Sequence, residues 1–383
     1  MRILVDDSAA FNQGAGIGRY ARNVLPAAAI RIPSAVFRLL YAPSQPGASP
    51  FHDDVVSAFP VDADVRVRRL PFSRRRADQL WFRARLPLPA QVFCGRVDIA
   101  YSPDFTLPPV GRTPRVITVH DLAFDVCPWV TPAALRGYLS AVVPRQVRMA
   151  SRVIAVSEAT RIDLIDRYRV PPDRIDIVPN GVDERFFGAL PLSANDRASL
   201  GIPLDYLLMV GTIEPRKNHL GVFDAMKMLN GQVDLPLVVA GRAGWDVGPI
   251  FEAARPLVES GRVMLLDYAP ERLLPSLYAG AASLVYPSWY EGFGIPVAEG
   301  LAAGVPVVAS ATMALRETGG EHALYADAAR PDEIAARIVE ALSSRQQAHE
   351  SRQARRAWAR RWTWQSAGDR LAEVFCQIVE KAR

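Results

Sequence analysis

A chain of 383 residues is longer than one compact core supports and implies two or three domains. Half of its residues are hydrophobic and 22% are charged, which excludes a disordered chain; a net charge of +5 permits anionic partners without selecting one. Three scattered cysteines exclude a disulfide framework and a zinc site, and suit a reducing compartment.

The opening Met1-Arg2-Ile3-Leu4-Val5-Asp6 is too short an apolar run for a signal peptide and reads as a first strand. No apolar run is long enough to span a bilayer, so a cytoplasmic chain is expected. Gly14-Ala15-Gly16-Ile17-Gly18 follows, then helical spacing over 19–30. Strand, glycine loop and helix resemble the start of a nucleotide-binding α/β unit, but the spacing is not that of a dinucleotide fingerprint. The loop reads either as a tight turn or as a side-chain-free floor for a cleft. Further strands fit 36–41, 65–70, 97–101 and 115–119. Asp62-Ala63-Asp64 has the form of a metal-holding DxD, but at a strand start among other acids it reads as a solvated turn.

Arg66 to Arg85 is the most basic segment, with eight arginines against Asp78 and with Phe72, Trp81 and Phe82 interleaved. It fits an anionic membrane surface or a phosphorylated acceptor. It fits equally a solvated helix with its apolar side docked; nucleic acid is the least favoured partner. The strand at 115–119 runs into His120-Asp121, and a histidine at that end of a parallel strand points towards the ligand edge. The alternative is a buried histidine bonded to Asp121. A helix at 132–150 and strands at 152–156 and 174–178 complete the first half, with Ser157 placed to cap a helix.

Residues 184–202 read as an irregular connection. Strands then fit 206–210, 235–240, 262–266, 283–286 and 305–309. Helices fit 218–230, 248–260, 270–280, 296–303, 331–344 and 348–381. This alternation predicts parallel sheets with right-handed crossovers, and hence an α/β chain of two Rossmann-like doubly wound domains facing across a cleft. The expected domains are 1–183 and 184–364, with a terminal helix at about 365–383 packing back on the first.

Two segments carry the chemistry. In Gly211-Thr-Ile-Glu-Pro-Arg-Lys-Asn218, Asn218 suits a helix N-cap, which sets Arg216 and Lys217 beside a helix N-terminus. Such a terminus with two cations is suited to a diphosphate without a metal. In Glu291-Gly-Phe-Gly-Ile-Pro-Val-Ala-Glu299, two acids bracket a glycine loop, and Pro296 suits the first helical position. In an open parallel sheet both loops leave the same edge.

Together with Val239-Ala-Gly241 and Gly304-Val-Pro-Val-Val-Ala-Ser310, these segments resemble the nucleotide-sugar-dependent retaining glycosyltransferases of family 4, with the GT-B fold. Glu291 and Glu299 match that family's E-x7-E signature. Gly14 to Tyr20, His120-Asp121 and Pro179-Asn-Gly-Val-Asp183 are similar to the first-domain motifs of its mannosyltransferase-like members. Arg316-Glu317 departs from the family's Pro-Glu pair, with an expected effect on local packing only.

The resemblance implies that Arg216 and Lys217 bind the donor diphosphate and that Gly211 lies beneath it. Glu291 would contact the donor sugar, Glu299 the ribose hydroxyls, and the N–H groups of Phe293, Gly294 and Ile295 the sugar and phosphate. Gly14 and Gly16 would border the diphosphate, and His120 would reach the sugar near the reacting carbon. It also implies a hexosyltransferase that needs no metal or other cofactor. The best-fitting donor is GDP-mannose, the acceptor a lipid-linked glycan or polysaccharide of surface-glycan synthesis such as lipopolysaccharide, and the location the inner membrane face. Two other readings stay open: a nucleotide-sugar hydrolase or epimerase on the same fold, and a non-catalytic basic protein binding membrane or nucleic acid.

Overall fold

The computed structural model describes residues 1–44, 49–267, 269–344 and 348–381. The chain forms two compact units, one of Met1–Leu122, Gly137–Gly181 and Thr363–Arg383, the other of Ala123–Arg136 and Val182–Trp362. Each is built on one parallel sheet.

The first sheet contains β1 (Arg2–Asp6), β2 (Val36–Tyr41), β3 (Asp64–Arg69), β4 (Ile99–Ser102), β5 (Arg115–Val119), β6 (Arg152–Ala155) and β7 (Ile175–Ile177). Its order is β3-β2-β1-β4-β5-β6-β7. β4 and β5 are buried along their whole length, which is why they read as unbroken apolar runs. β3 alternates half-buried valines with exposed arginines and forms an edge, where charge discourages pairing with another chain.

The second sheet contains β8 (Leu207–Val210), β9 (Leu237–Ala240), β10 (Val263–Leu266), β11 (Ser283–Tyr286), β12 (Val307–Ser310) and β13 (Leu324–Ala326), in the order β10-β9-β8-β11-β12-β13. Its core joins Leu207, Met209, Leu237 and Val239 to Val222, Phe223 and Met226 of a covering helix. Burying each of the larger side chains contributes about 1.5–3 kcal/mol.

In both sheets the strand order reverses beside the first strand, between β1 and β4 and between β8 and β11. Loops leaving the carboxyl ends there diverge to opposite faces and open a crevice. Six helices matter below: α1 (Gly16–Arg31), α2 (His219–Met228), α3 (Ile295–Ala303), α4 (Pro331–Ser344), α5 (Ala348–Ala359) and α6 (Trp364–Lys381). α6 lies against α1 so closely that a Cβ on Gly368 would sit 2.5 Å from the Ala27 backbone. Phe375 meets Tyr101 edge-on at 5.3 Å.

Several expected elements differ. The connection at 184–202 contains a helix at Ala194–Leu200, capped by Ser193. The expected helix over 348–381 is two helices, because the chain turns between Ala359 and Trp364; residues 382–383 lie outside the described ones. Ala123–Arg136 groups with the second unit rather than the first, and Trp245 Nε1 donates to Val130 O at 3.0 Å there. β13 is a three-residue strand, too short to give a period.

Candidate active site

The site in the second unit starts where β8 ends. Gly211 has φ of +139°, which turns the chain out of the strand. Pro215–Lys217 forms a single 3-10 turn. Asn218, at φ +60°, then caps α2 by accepting the Gly221 N–H at 3.3 Å. Its amide also donates to Pro287 O at 3.2 Å and Ala328 O at 2.8 Å, and Trp289 N donates to Arg216 O at 2.9 Å. These bonds fasten the loop after β8 to the loops after β11 and β13.

The fastening brings three expected residues into one network. Arg216 reaches Glu291 Oε2 at 2.8 Å, and Lys217 Nζ reaches Glu291 Oε1 at 2.6 Å. Glu214, 2% exposed, holds the other side of the Arg216 guanidinium at 2.8 Å. Tyr286 Oη donates to Glu291 Oε1 at 2.9 Å and also lies within bonding distance of Lys217 Nζ. Burial opposes ionisation of Glu291, but the charges of Arg216 and Lys217 outweigh it and hold its pKa down to about 2. Burial and the neighbouring Arg216 push Lys217 below the ordinary lysine range. Burial pushes Glu214 upward. Two cations thus face two carboxylates, and both oxygens of Glu291 are engaged by the protein itself.

Glu214 and Tyr286 were not given roles by the sequence. Glu214 stands within the Gly211–Asn218 segment, and Tyr286 is the last residue of an apolar strand, where its hydroxyl signals a bonding partner at the sheet edge.

The loop after β11 ends at Gly294, which caps α3 with φ +95°. A Cβ there would sit 2.3 Å from Leu315 Cδ2. Pro296 occupies the second helical position, not the expected first, and still needs no N–H partner. Among the described residues no protein acceptor takes the N–H groups of Phe293, Gly294 or Ile295. They form a row of donors at a helix N-terminus, an arrangement suited to anions. Glu299 lies in the next turn, 1% exposed, and accepts from Tyr278 Oη at 2.8 Å.

The remaining expected residues belong to the first unit. Gly14 and Gly16 are exposed, and Gly16 begins α1. Gly18 carries a steric requirement, since a Cβ there would lie 1.9 Å from Gln13 O, whereas one at Gly14 would meet only Phe51 Cζ at 3.4 Å. His120 follows β5, and its Nε2 is 2.7 Å from Pro103 O rather than bonded to Asp121. A carbonyl only accepts, so Nε2 carries the proton and Nδ1 the lone pair. Burial lowers the His120 pKa and favours this neutral ring. Tyr20 stands edge-on to it at 4.9 Å.

The arginine-rich segment splits in two. Phe72 and Trp81 turn inward and pack edge-on with each other and with Phe93. The expectation of arginines and aromatics sharing one membrane-facing surface is therefore corrected, because burying the rings is worth more than exposing them. Arg74 is ion-paired with Asp78, whereas Arg75, Arg76, Arg83 and Arg85 are exposed. Asp64 of the DxD is paired with Arg66 at 3.0 Å on the edge strand. No helix among the described residues is long and apolar enough to cross a membrane.

Residues 194–361 match the family described as Glycosyl transferases group 1, and residues 14–186 match Glycosyltransferase Family 4. The O-antigen chain mannosyltransferase B of Escherichia coli is 34% identical over 257 residues, 64% of this chain and 65% of that protein. The serotype-specific mannosyltransferase WbdA of Escherichia coli is 28% identical over 61% of this chain and 30% of its own length. The chain thus spans less than two thirds of both relatives. A glycosyltransferase from Rickettsia africae ESF-5 superposes with a TM-score of 0.73 at 15% identity, covering 99% of this chain and 98% of that one, which speaks to the fold alone. Two doubly wound units, the cation pair facing a glycine-capped helix, and the two family matches place this chain among the GT-B glycosyltransferases, in the group 1 and family 4 lineage, with mannosyltransferase-like sequence.

Proposed function

We propose that the chain is a retaining hexosyltransferase that uses a nucleotide sugar, with GDP-mannose as donor and a lipid-linked or polysaccharide acceptor of surface-glycan synthesis. The observation that carries this reading is the Arg216–Lys217 pair set beside the unpartnered N–H row of Phe293, Gly294 and Ile295. Departure of the nucleoside diphosphate concentrates negative charge on its β-phosphate. Cations and fixed N–H donors placed where that charge develops lower the barrier. Removing one such donor costs roughly 3–4 kcal/mol, or about 10²–10³ in rate.

In this reading Arg216 and Lys217 take the diphosphate, and Gly211 keeps their approach free of a side chain. Glu291 positions both cations as well as meeting the donor sugar. Glu299 accepts the ribose hydroxyls, as a carboxylate can accept a vicinal diol. The lone pair on His120 Nδ1 accepts a sugar hydroxyl near the reacting carbon. The acceptor oxygen attacks the face that the diphosphate leaves, and a phosphate oxygen takes its proton, so configuration is retained. No residue is assigned as a covalent nucleophile, and the residues assigned to the diphosphate include no metal ligand set. The names of the mannosyltransferase relatives support mannose and a polymer acceptor. Exposed Arg75, Arg76, Arg83 and Arg85 support contact with an anionic membrane face.

The test is nucleotide release from GDP-, UDP- and ADP-sugars with and without glycan acceptors, with the product anomer read by NMR. The expected result is acceptor-dependent GDP release from GDP-mannose and an α-linked product, both lost in Lys217→Ala. Transfer by Lys217→Ala at the wild-type rate would overturn the diphosphate assignment. Release that ignores every acceptor would favour hydrolysis.

A further inference from the structure

The N-terminus of α3 belongs to the site described above; its other end carries charge that the site does not use. α3 stops at Gly304, which has φ of +83°. Nine residues of helix separate the two ends by about 13 Å. Arg352, Arg355 and Arg356 of α5 converge on Gly304. A Cβ there would lie 2.4 Å from Arg352 Cγ and 3.1 Å from Arg356 Nε, so the glycine is what makes room for them. Arg355 Nε donates to Gly304 O at 3.0 Å, and a terminal nitrogen of Arg356 donates to Ala303 O at 3.2 Å.

Capping the last carbonyls of α3 accounts for these two bonds and no more. Arg356 Nε is shielded from solvent and has no hydrogen-bond partner among the described residues. The terminal nitrogens of Arg355 and the whole guanidinium of Arg352 take no acceptor from the described residues, and none of the three arginines is ion-paired there. Arg355 is nevertheless only 9% exposed, and an arginine so buried almost always has a charged partner. Burial and the like charge of Arg352 hold its pKa down to about 10, and no carboxylate offsets them. Arg356 is lowered by the same two causes. The C-terminus of a helix supplies about half a unit of negative charge, which leaves most of three guanidinium charges unbalanced.

We infer that Arg352, Arg355 and Arg356 form a binding site for a phosphate group at the C-terminal end of α3, separate from the site at its N-terminus. The inference goes beyond the transferase reading and does not rest on it. Guanidinium forks match the oxygens of a phosphate in pairs, and the shielded Nε of Arg356 is a donor still waiting for an acceptor. A phosphate monoester carries about 1.5–2 negative charges at neutral pH, closer to the surplus than a single carboxylate comes. A soluble phosphate and the headgroup of an anionic lipid offer this same chemistry.

Calorimetric titration of the full chain with inorganic phosphate, in the absence and presence of GDP, tests the site. Arg352 makes no hydrogen bond, so Arg352→Ser leaves the cap of α3 in place. The expected result is a phosphate bound with or without GDP, and weakened at least tenfold in Arg352→Ser and in Arg356→Gln. Arg255→Ser, which removes an exposed arginine of another helix, is expected to change it less than twofold. GDP affinity is expected to stay within twofold in Arg352→Ser. Co-sedimentation with phosphatidylglycerol and phosphatidylcholine vesicles separates the two sources. A deficit of Arg352→Ser on phosphatidylglycerol assigns the headgroup, and sedimentation equal to the wild type assigns a soluble phosphate. The inference is overturned if the wild type binds no phosphate, if GDP displaces all of it, or if both cluster variants bind it as the wild type does. An equal loss in Arg255→Ser overturns it as well, since net charge alone would then explain the binding. Phosphate bound as expected with no affinity for GDP would instead count against the donor reading.

Discussion

Replacing Glu291 by Gln keeps the shape of the side chain and removes the charge that holds Arg216 and Lys217. In the native site the carboxylate meets Arg216 at 2.8 Å, Lys217 at 2.6 Å and Tyr286 at 2.9 Å. The gap between the ordinary value of 4.5 and about 2 corresponds to roughly 3 kcal/mol in favour of the ionised, folded form. That agrees with the loss of about 3–5 kcal/mol expected when one partner of a buried ion pair is removed. Glu291→Gln should therefore destabilise the second unit by about 3 kcal/mol at pH 7. For a unit of this size the change corresponds to a fall in Tm of roughly 6–12 °C. The folded pKa is depressed, so the stabilisation is complete above the unfolded value and disappears as pH falls through the folded one. The difference between wild type and variant should shrink to about half or less at pH 3. Denaturant unfolding of both proteins from pH 7 to pH 3 measures it. A difference under about 1 kcal/mol at neutral pH, or one independent of pH, would refute the assignment of Glu291 as the anchor of the cation pair.

Gly294→Ala forces a side chain into φ +95° and against Leu315 Cδ2. It should cost about 1–3 kcal/mol and weaken nucleotide binding, read by thermal shift with and without GDP; a variant as stable as the wild type would contradict the geometry. His219 is 2% exposed, and burial lowers its pKa to about 4. The unfolded chain binds this proton more readily, so stability falls with pH below the unfolded value, by about 2 kcal/mol between pH 7 and pH 5. His219→Gln should lack that part of the slope, and parallel pH–stability curves for the two proteins would exclude it. Arg75→Ser combined with Arg76→Ser and Arg83→Ser should weaken co-sedimentation with phosphatidylserine vesicles, by a margin that narrows as salt is raised. Arg74 is kept in that variant because its charge is spent on Asp78 and Asp6. Equal sedimentation of variant and wild type would remove the membrane assignment.

Much of this protein is legible along the chain. The central strands β4, β5, β11 and β12 are short runs buried on both faces, and such runs stand out in sequence because little polar alternation interrupts them. Ser157 and Asn218 announce helix starts because capping is a local interaction within three residues. The segments around Arg216 and Glu291 can be joined from the amino-acid order, since strand-ends of one parallel sheet share an edge.

Other features depend on residues far apart in the chain. That Glu291 is gripped by both Arg216 and Lys217 depends on side chains 75 and 74 positions away, through bonds no periodicity encodes. Gly18, unlike Gly14, has no room for a side chain, because the obstruction is a carbonyl folded back from Gln13. Trp81 sits beside arginines in sequence but packs on Phe93, and Arg74 leaves the run of arginines around it to sit among Asp6, Asp78 and Asp104. The two parallel units, the capped loops and the chemistry available at each strand end follow from local propensity and hydrophobic pattern, so the order of residues is enough to dictate them. Which charges meet and which are left facing solvent is a matter for the folded chain, because Coulomb energy and burial depend on distances between residues that only folding brings together.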